Sequence, residues 1–329
     1  MESSGVATTG LGIKRFALNP SFSGWKMLVL IASYSFLGYK LLNFNQYVEL
    51  AAQWKQMPLS QAWWLVAVLA LLPLNWLLES LKWKMLTSRV QKITVRDAVK
   101  AVLSGISTGF FTPNRVGEII GRVAFLEPEN RKAGVTLSIL NSLTQNMVMV
   151  LCGTPAFILF FRVTSGITEI NKTLYLTVLI VGLLILGLFL FTLPQWSLRL
   201  KNSRLSRNLK SYTDCLSGYN RRDLFHIMGV SLFRYLIFCT QFYFMLQFFG
   251  IELAPWQAMV AIPTTYLFVT FTPSIAFSEA AVRSSYAVLV IGAFSGSIAG
   301  IALAGICIWA INFIFPMLVG SVVLVRKRN

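Results

Sequence analysis

Two short segments of the chain carry ionisable residues in the same order. The first, FTPNRVGEIIGR, covers 111–122, and the second, FTPSIAFSEAAVR, covers 271–283. In each, a glutamate follows Thr-Pro, and an arginine stands four residues after that glutamate. Guanidinium groups bind phosphate or carboxylate through charge-assisted hydrogen bonds, and a nearby carboxylate neutralises them. These residue types therefore indicate anion binding, and the question is which structural elements bring them together.

The composition predicts that both segments lie in a polytopic membrane protein. Of 329 residues, 56% are hydrophobic and 12% are charged, whereas soluble domains have roughly 25% charged residues. Crossing the hydrocarbon core takes about 20 apolar residues in a helix. Six stretches meet this length: 25–42, 62–82, 134–161, 173–192, 224–249 and 297–325. We predict an all-α membrane protein with six transmembrane helices in one domain, 1–329.

Two further apolar regions, 94–127 and 257–293, are interrupted at the Thr-Pro pairs. Each half has roughly 13–18 residues, enough to reach about the middle of a bilayer. We therefore predict two re-entrant helical hairpins. Thr is a good N-cap and Pro suits the first helical position, so Thr112 and Thr272 should start the outgoing halves. The sequence TVRD at 94–97 predicts a capped start for the first hairpin. The predicted hairpin tips comprise Thr112, Pro113, Asn114, Gly117, Thr272, Pro273 and Ser274.

The distribution of lysine and arginine predicts the orientation. The two termini and residues 82–133 and 193–223 hold 23 of the 29 basic residues, whereas 40–61, 162–172 and 250–256 hold four. Basic loops stay in the cytoplasm, so we expect both termini there, in the inner cell membrane. Anionic lipid accounts for the net charge of +17. We expect no nucleic-acid partner, because no soluble domain is predicted that could present this charge.

This orientation makes the two halves of the chain inverted-topology repeats, one over about 25–161 and the other over about 173–325. Their hairpins would enter from opposite faces of the membrane. Transporters built in this way bind substrate near the bilayer midplane, where the broken helices meet.

Helix N-termini attract anions, and arginines beside two facing hairpin tips would form an anion pocket. Arg234 lies about 18 Å into its predicted span. No carboxylate stands three or four residues from it, so its partner should be Glu118, Glu279 or an anionic ligand. The alternative is that the two Glu–Arg pairs only lock the hairpins in place. The predicted head-group site comprises Arg115, Glu118, Arg122, Arg234, Glu279 and Arg283.

The sequence offers little for catalysis or metal binding. Its three aspartates lie outside the predicted span interiors, His226 is the one histidine, and the four cysteines have no metal-ligand spacing. No hydrolase, metalloprotease or nucleotide-binding motif occurs. We therefore expect no enzymatic activity, no catalytic residues, no metal and no cofactor. Asn141, Gln145, Gln241 and Asn312 are predicted to form interhelical hydrogen bonds.

The strings TPNRVGEIIGR, LNWLLESLKWKMLT and SEAAVR, with the order of the spans, resemble the integral-membrane domain of the lysylphosphatidylglycerol synthase/flippase family. The resemblance covers about 20–325 and matches Arg115, Gly117, Glu118, Arg122 and Glu279 to the family's two motifs. It implies a domain with two re-entrant hairpins that moves a phospholipid or similar anionic lipid between leaflets. The second motif departs from the family pattern because it lacks the glycines before its glutamate.

We therefore predict a lipid flippase with a mid-membrane Arg/Glu site and an anionic lipid as its partner. The chain ends at Asn329, shortly after the last span, so we expect no aminoacyl-transferase domain and no synthesis of aminoacylated lipid. The alternative function is a non-transporting membrane partner in cell-envelope or glycolipid assembly. A separate lipid-modifying enzyme and a second copy of the chain are further candidate partners.

Overall fold

The computed structural model describes residues 61–165 and 214–326 except 275, together with nine single positions between 31 and 192. In these ranges all regular secondary structure is helical. The predicted spans 25–42 and 173–192 lie outside the described ranges apart from those single positions.

Nine α-helices occur in the described ranges, and a π-helical turn, Ala310–Ile314, joins the last two. They are α1 Ala62–Thr87, α2 Val95–Phe110, α3 Glu118–Val123, α4 Arg131–Thr164, α5 Arg221–Phe248, α6 Pro255–Phe271, α7 Ala276–Ile291, α8 Ile298–Trp309 and α9 Phe315–Arg326. Within the described ranges, four helical stretches are long and apolar enough to cross a membrane. They are α1, α4 with its preceding turn, α5, and α8 to α9, and they correspond to the predicted spans 62–82, 134–161, 224–249 and 297–325. The all-helical membrane architecture is thereby confirmed at this level.

Helices α2 and α3 pack against each other as one hairpin, and α6 and α7 pack as another. The first hairpin starts as predicted, because the Thr94 hydroxyl accepts the backbone N–H of Asp97 at 3.2 Å. The breaks at the Thr-Pro pairs also lie where the sequence places them. Both hairpins therefore exist as packed helix pairs.

The prediction that Thr112 and Thr272 begin long outgoing helices is wrong. Thr112 precedes a single 3₁₀ turn, and the α-helix that follows has six residues. Arg115 in that turn has φ +59°, and a left-handed residue cannot continue a right-handed helix. Thr272 caps the end of α6 instead. Its hydroxyl donates to the Phe268 carbonyl at 2.9 Å, and α7 begins only at Ala276.

A small hydrophobic cluster fixes the two hairpins on the last helix. Phe110 at the end of α2 and Ala280 on α7 both belong to it, with Trp309, Phe313 and Met317 from the π-helical turn and its neighbours. The Ser107 hydroxyl donates to the Met317 carbonyl and holds α2 against α9. The hairpin turns are thus packed beside the π-helical segment.

Close backbone contact between α2 and α9 depends on Gly320. A Cβ atom at this position would lie 1.9 Å from the Leu103 carbonyl oxygen, a distance that cannot be relieved by moving a side chain. We expect Gly320→Ala to lower the free energy of unfolding by about 1–3 kcal/mol through overpacking. Thermal melting of the purified protein in detergent measures this.

Gly229 on α5 provides the matched control, because a Cβ there meets nothing within 4 Å. Gly229→Ala should raise stability by about 0.5–1 kcal/mol, since alanine is the better helix former. Equal melting of the two variants would contradict the close approach of α2 and α9.

Candidate functional site

A cavity of about 370 Å³ lies between the two hairpin turns, α1, α4, α5 and the π-helical turn. All six residues predicted for the head-group site line it: Arg115, Glu118, Arg122, Arg234, Glu279 and Arg283. The predicted tip residues Thr112, Thr272, Pro273 and Ser274 line it as well. Of the other three tip residues, Pro113 and Asn114 lie in the 3₁₀ turn, and Gly117 is buried against the Thr108 carbonyl. The structure therefore brings the two sequence motifs to one cavity, although they are about 160 residues apart.

One end of the cavity is organised around the Glu79 carboxylate of α1. Oε1 accepts hydrogen bonds from Arg122 Nη2 at 2.6 Å and from Asn141 Nδ2 at 2.7 Å. Oε2 lies 3.1 Å from Arg234 Nη1 and 3.5 Å from Lys82 Nζ. The side chains of Glu79 and Arg122 are each 3% exposed, and that of Lys82 is 0% exposed. Three cations thus converge on one buried carboxylate.

The other end is organised around Glu279 on α7. Arg115 Nη2 donates to both carboxylate oxygens, at 2.8 and 2.9 Å, and Arg283 Nη2 donates to Oε1 at 2.9 Å. The Phe313 ring lies under both guanidinium groups, 3.6 Å from Arg115 Cζ and 4.7 Å from Arg283 Cζ. Cation–π attraction adds to the hydrogen bonds and orients both arginines. This end is more open, since Arg115 is 27% exposed and Arg283 is 17% exposed.

Glu118 connects the two ends. Its carboxylate accepts from Arg122 Nη2 at 2.9 Å and lies 3.8 Å from Arg115 Nη1. The ion pairs therefore form one continuous network that includes both hairpins, α1 and α5. Among the described residues, the network contains five cations, Lys82, Arg115, Arg122, Arg234 and Arg283, and three carboxylates, Glu79, Glu118 and Glu279. With every group ionised, the positive charge exceeds the negative by two.

The two carboxylates predicted as partners of Arg234, Glu118 and Glu279, are wrong. Arg234 pairs with Glu79, which is not among the residues predicted for the site, and Arg234 Nε also donates to Asn75 Oδ1 at 2.8 Å. The sequence does contain one indication that Glu79 is functional, because this glutamate lies within the apolar stretch 62–82. An ionisable residue inside a span is a functional candidate by default. Glu79 stands three residues from the predicted end, but α1 continues to Thr87, so the carboxylate lies well inside the helix.

The predicted interhelical hydrogen bonds are confirmed. Asn312 accepts from Asn75 Nδ2 at 3.2 Å, Gln145 donates to the Ser231 carbonyl at 3.3 Å, and Gln241 donates to the Val68 carbonyl at 3.0 Å. The Asn141 amide donates to Glu79, as described above. Three of these four side chains, all except Gln241, also line the cavity.

Two buried groups at the cavity retain unused hydrogen-bonding capacity. Nε and Nη1 of Arg122 and Oδ1 of Asn141 have no hydrogen-bond partner among the described residues. Each side chain is nevertheless held by other atoms, since Arg122 pairs with Glu79 and Glu118 and the Asn141 amide donates to Glu79.

The backbone is irregular at two points of the cavity wall. Arg115 has the one positive φ among the described residues other than glycine, which costs of the order of 1–3 kcal/mol at a non-glycine residue. Its two carboxylate partners and Phe313 hold it there. The π-helical turn contains Asn312 and Phe313, both of which line the cavity. Short π-helical segments are frequent at functional sites.

Among the described residues, no three His, Cys, Asp or Glu side chains are grouped so that they could hold a metal ion. The donors at the cavity are guanidinium and amide groups, which suit oxyanions. The arrangement can therefore bind a phosphate or carboxylate group and exchange it for one of the network's own carboxylates.

Comparison with family models gives one match, to the transmembrane region of lysylphosphatidylglycerol synthase, over residues 26–320. Comparisons with curated proteins and with solved structures give no match. The matched residues comprise most of the chain and include both hairpins and every residue of the ion network. The chain is an integral membrane protein that belongs to the family of the lysylphosphatidylglycerol synthase transmembrane region.

Proposed function

We propose that this protein moves an anionic lipid head group between the two leaflets through the cavity that the hairpins enclose. The observation that supports this best is the excess of two positive charges in the ion network. An uncompensated charge is costly within a membrane, and the phosphodiester of a lipid head group, with one negative charge, would reduce the excess from two to one. Membership of a lipid-related family is consistent with such a substrate.

The open end of the cavity would receive the phosphate. Arg115 and Arg283 share the Glu279 carboxylate, and each has further N–H groups to offer. A phosphate oxygen could replace Glu279 at either guanidinium, while the other arginine keeps that carboxylate neutralised. Because one charge-assisted hydrogen bond is exchanged for another, binding would be reversible, as transport requires.

The buried end would serve a different purpose. Glu79, Lys82 and Arg122 are at most 3% exposed, so a head group cannot approach them without unpacking the helices. Their contacts would hold α1 and the first hairpin in place, with Arg234, which is 17% exposed, facing the cavity. The alternative of purely structural ion pairs therefore suits the buried end around Glu79, and head-group binding suits the open end around Glu279.

We further propose the topology that fits this mechanism. The two hairpins are re-entrant and belong to inverted repeats of about 25–161 and 173–325, and both termini are cytoplasmic. A head group bound between the hairpin turns could then be reached from either leaflet by small movements of the hairpins. The protein would catalyse no covalent step.

Lipid movement in vesicles tests the proposal directly. The purified full-length chain is reconstituted, and loss of fluorescence is followed after a membrane-impermeant reductant is added to head-group-labelled phosphatidylglycerol. We expect the protein to speed the appearance of inner-leaflet label at the outer surface relative to protein-free vesicles. Labelled phosphatidylcholine, which has no net charge, should move more slowly.

Protein that melts normally and yet leaves the movement of both lipids unchanged would contradict the transport function. The same result would favour the alternative, a membrane partner protein whose ion pairs are structural.

A further inference from the structure

A second cavity, of about 640 Å³, lies at the opposite end of α2 from the hairpin turn. Four cations line it: Lys92, Arg96 and Lys100 at the start of α2, and Arg326 at the end of α9. None of them belongs to the ion network of the central cavity. The charge distribution predicts that this face is cytoplasmic.

The charges of this second cavity are largely uncompensated. Its one carboxylate, Asp97, lies 3.6 Å from Lys100 Nζ and accepts the Thr94 hydroxyl at 2.7 Å. Lys92, Arg96 and Arg326 form no ion pair with any described residue. The N-terminus of the 16-residue helix α2 adds about half a positive charge. The four cations and Asp97 sum to a charge of +3, to which the helix N-terminus adds, so the cavity suits a ligand with more than one negative charge.

The wall also contains apolar side chains, Ile93, Phe125 and Val323. A free phosphate ion would make no favourable contact with these apolar side chains, whereas the glycerol and upper acyl carbons of a lipid would pack against them. Arg326 ends the helical stretch Ile298–Arg326, which is long and apolar enough to cross a membrane, so the cavity would lie level with the lipid phosphates of one leaflet. Basic pockets between helices at this depth bind the head groups of anionic lipids.

We propose that this cavity binds the phosphate groups of a polyanionic phospholipid, one with two phosphates in its head group, as a resident lipid. Arg326 would hold one phosphate, and Lys92 and Arg96 the other. The lipid would thereby join the start of α2 to the end of α9, at the opposite end of this helix pair from the contact between Ser107 and Met317. Its consequence is greater stability of the hairpin that carries Arg115. The inference is independent of any transport at the central cavity.

Native mass spectrometry of the intact chain in detergent, titrated with diphosphatidylglycerol, tests this inference. The variant K92Q/R96Q/R326Q removes the unpaired cations and leaves the Lys100–Asp97 pair. We expect its affinity for diphosphatidylglycerol to fall about 100-fold, since each surface cation contributes about fivefold. The control K201Q/R204Q/R207Q removes the same charge from the 193–223 segment and should retain the affinity of the wild type within about threefold.

Three outcomes separate this site from its alternatives. Titrations in an Arg115→Gln background remove the contribution of the central cavity, and there the wild-type second cavity should still bind one lipid. Equal affinity of K92Q/R96Q/R326Q and the control would overturn the proposal. Millimolar sodium phosphate that raises the melting temperature as much as diphosphatidylglycerol does would also overturn it, because the site would then take free phosphate rather than lipid.

Discussion

Glu79→Gln is expected to cause the largest loss of stability of any single substitution in the ion network. The carboxylate compensates Arg122, Arg234 and Lys82 at once, at 2.6, 3.1 and 3.5 Å. Glutamine keeps the shape and one acceptor for the Asn141 amide, but it leaves two buried cations, Arg122 and Lys82, and the partly buried Arg234 close together. Breaking one partner of a buried pair costs about 3–5 kcal/mol, and here more than one pair is broken. We therefore expect the free energy of unfolding to fall by at least about 3 kcal/mol.

Thermal melting in detergent at two ionic strengths measures this loss. Glu118→Gln is the matched control, because Glu118 is 17% exposed and its partner Arg122 keeps the shorter bond to Glu79. Its cost should be nearer 1 kcal/mol. Lys82→Met added to Glu79→Gln should restore part of the stability, since it removes the fully buried cation. Equal losses in the two glutamate variants would show that Glu79 does not organise the network.

Arg115→Gln is expected to have the largest effect on lipid movement while leaving the fold intact. Arg115 donates to both oxygens of Glu279 and approaches Glu118, so it joins the two hairpins by ion pairs. Its removal leaves each carboxylate with another arginine, Arg283 or Arg122. Arg115 is 27% exposed, so the stability cost should be about 1 kcal/mol or less. A phosphate at this position would lose charge-assisted hydrogen bonds, which predicts transport slower by about 10- to 100-fold.

The measurement pairs lipid transfer in vesicles with melting of the same preparations. Arg162→Gln is the matched control. It removes the same charge from an exposed position at the end of α4, outside the cavity, and should change neither quantity. A normal transfer rate for Arg115→Gln would remove Arg115 from the substrate path. Loss of transfer together with a melting loss like that of Glu79→Gln would assign Arg115 to the structural end of the network.

Some features of this protein are fixed by local chemistry and were accessible from the sequence. The spans follow from the length of apolar stretches, because every backbone polar group within hydrocarbon must be satisfied inside its own helix. Thr94 predicts the start of α2 because an N-cap depends on residues three positions apart. Arg115, Arg122, Arg234, Glu118, Glu279 and Arg283 stand out because ionisable groups within a membrane protein are rare and expensive.

Pairing across distant segments was decided by the tertiary structure alone. The i,i+4 spacing predicts that Arg122 belongs to Glu118 and Arg283 to Glu279, and both pairs occur. Spacing along one helix gives no information on Glu79, which lies 43 residues from Arg122 and reaches it only because α1 packs against the first hairpin. Arg234 was assigned to the wrong carboxylates for the same reason.

Sequence by itself thus determined that the chain is a helical membrane protein, where its hairpins break and which side chains are charged within it. Only the tertiary structure decided that these side chains form one network around one cavity, with an excess of positive charge. It also decided that the backbone of Arg115 adopts the left-handed conformation. This conformation ends the 3₁₀ turn after Thr112, where the sequence predicted a longer helix. The physical reason is that composition and periodicity record the solvent each residue faces, whereas ion pairing and backbone strain depend on which helices pack together.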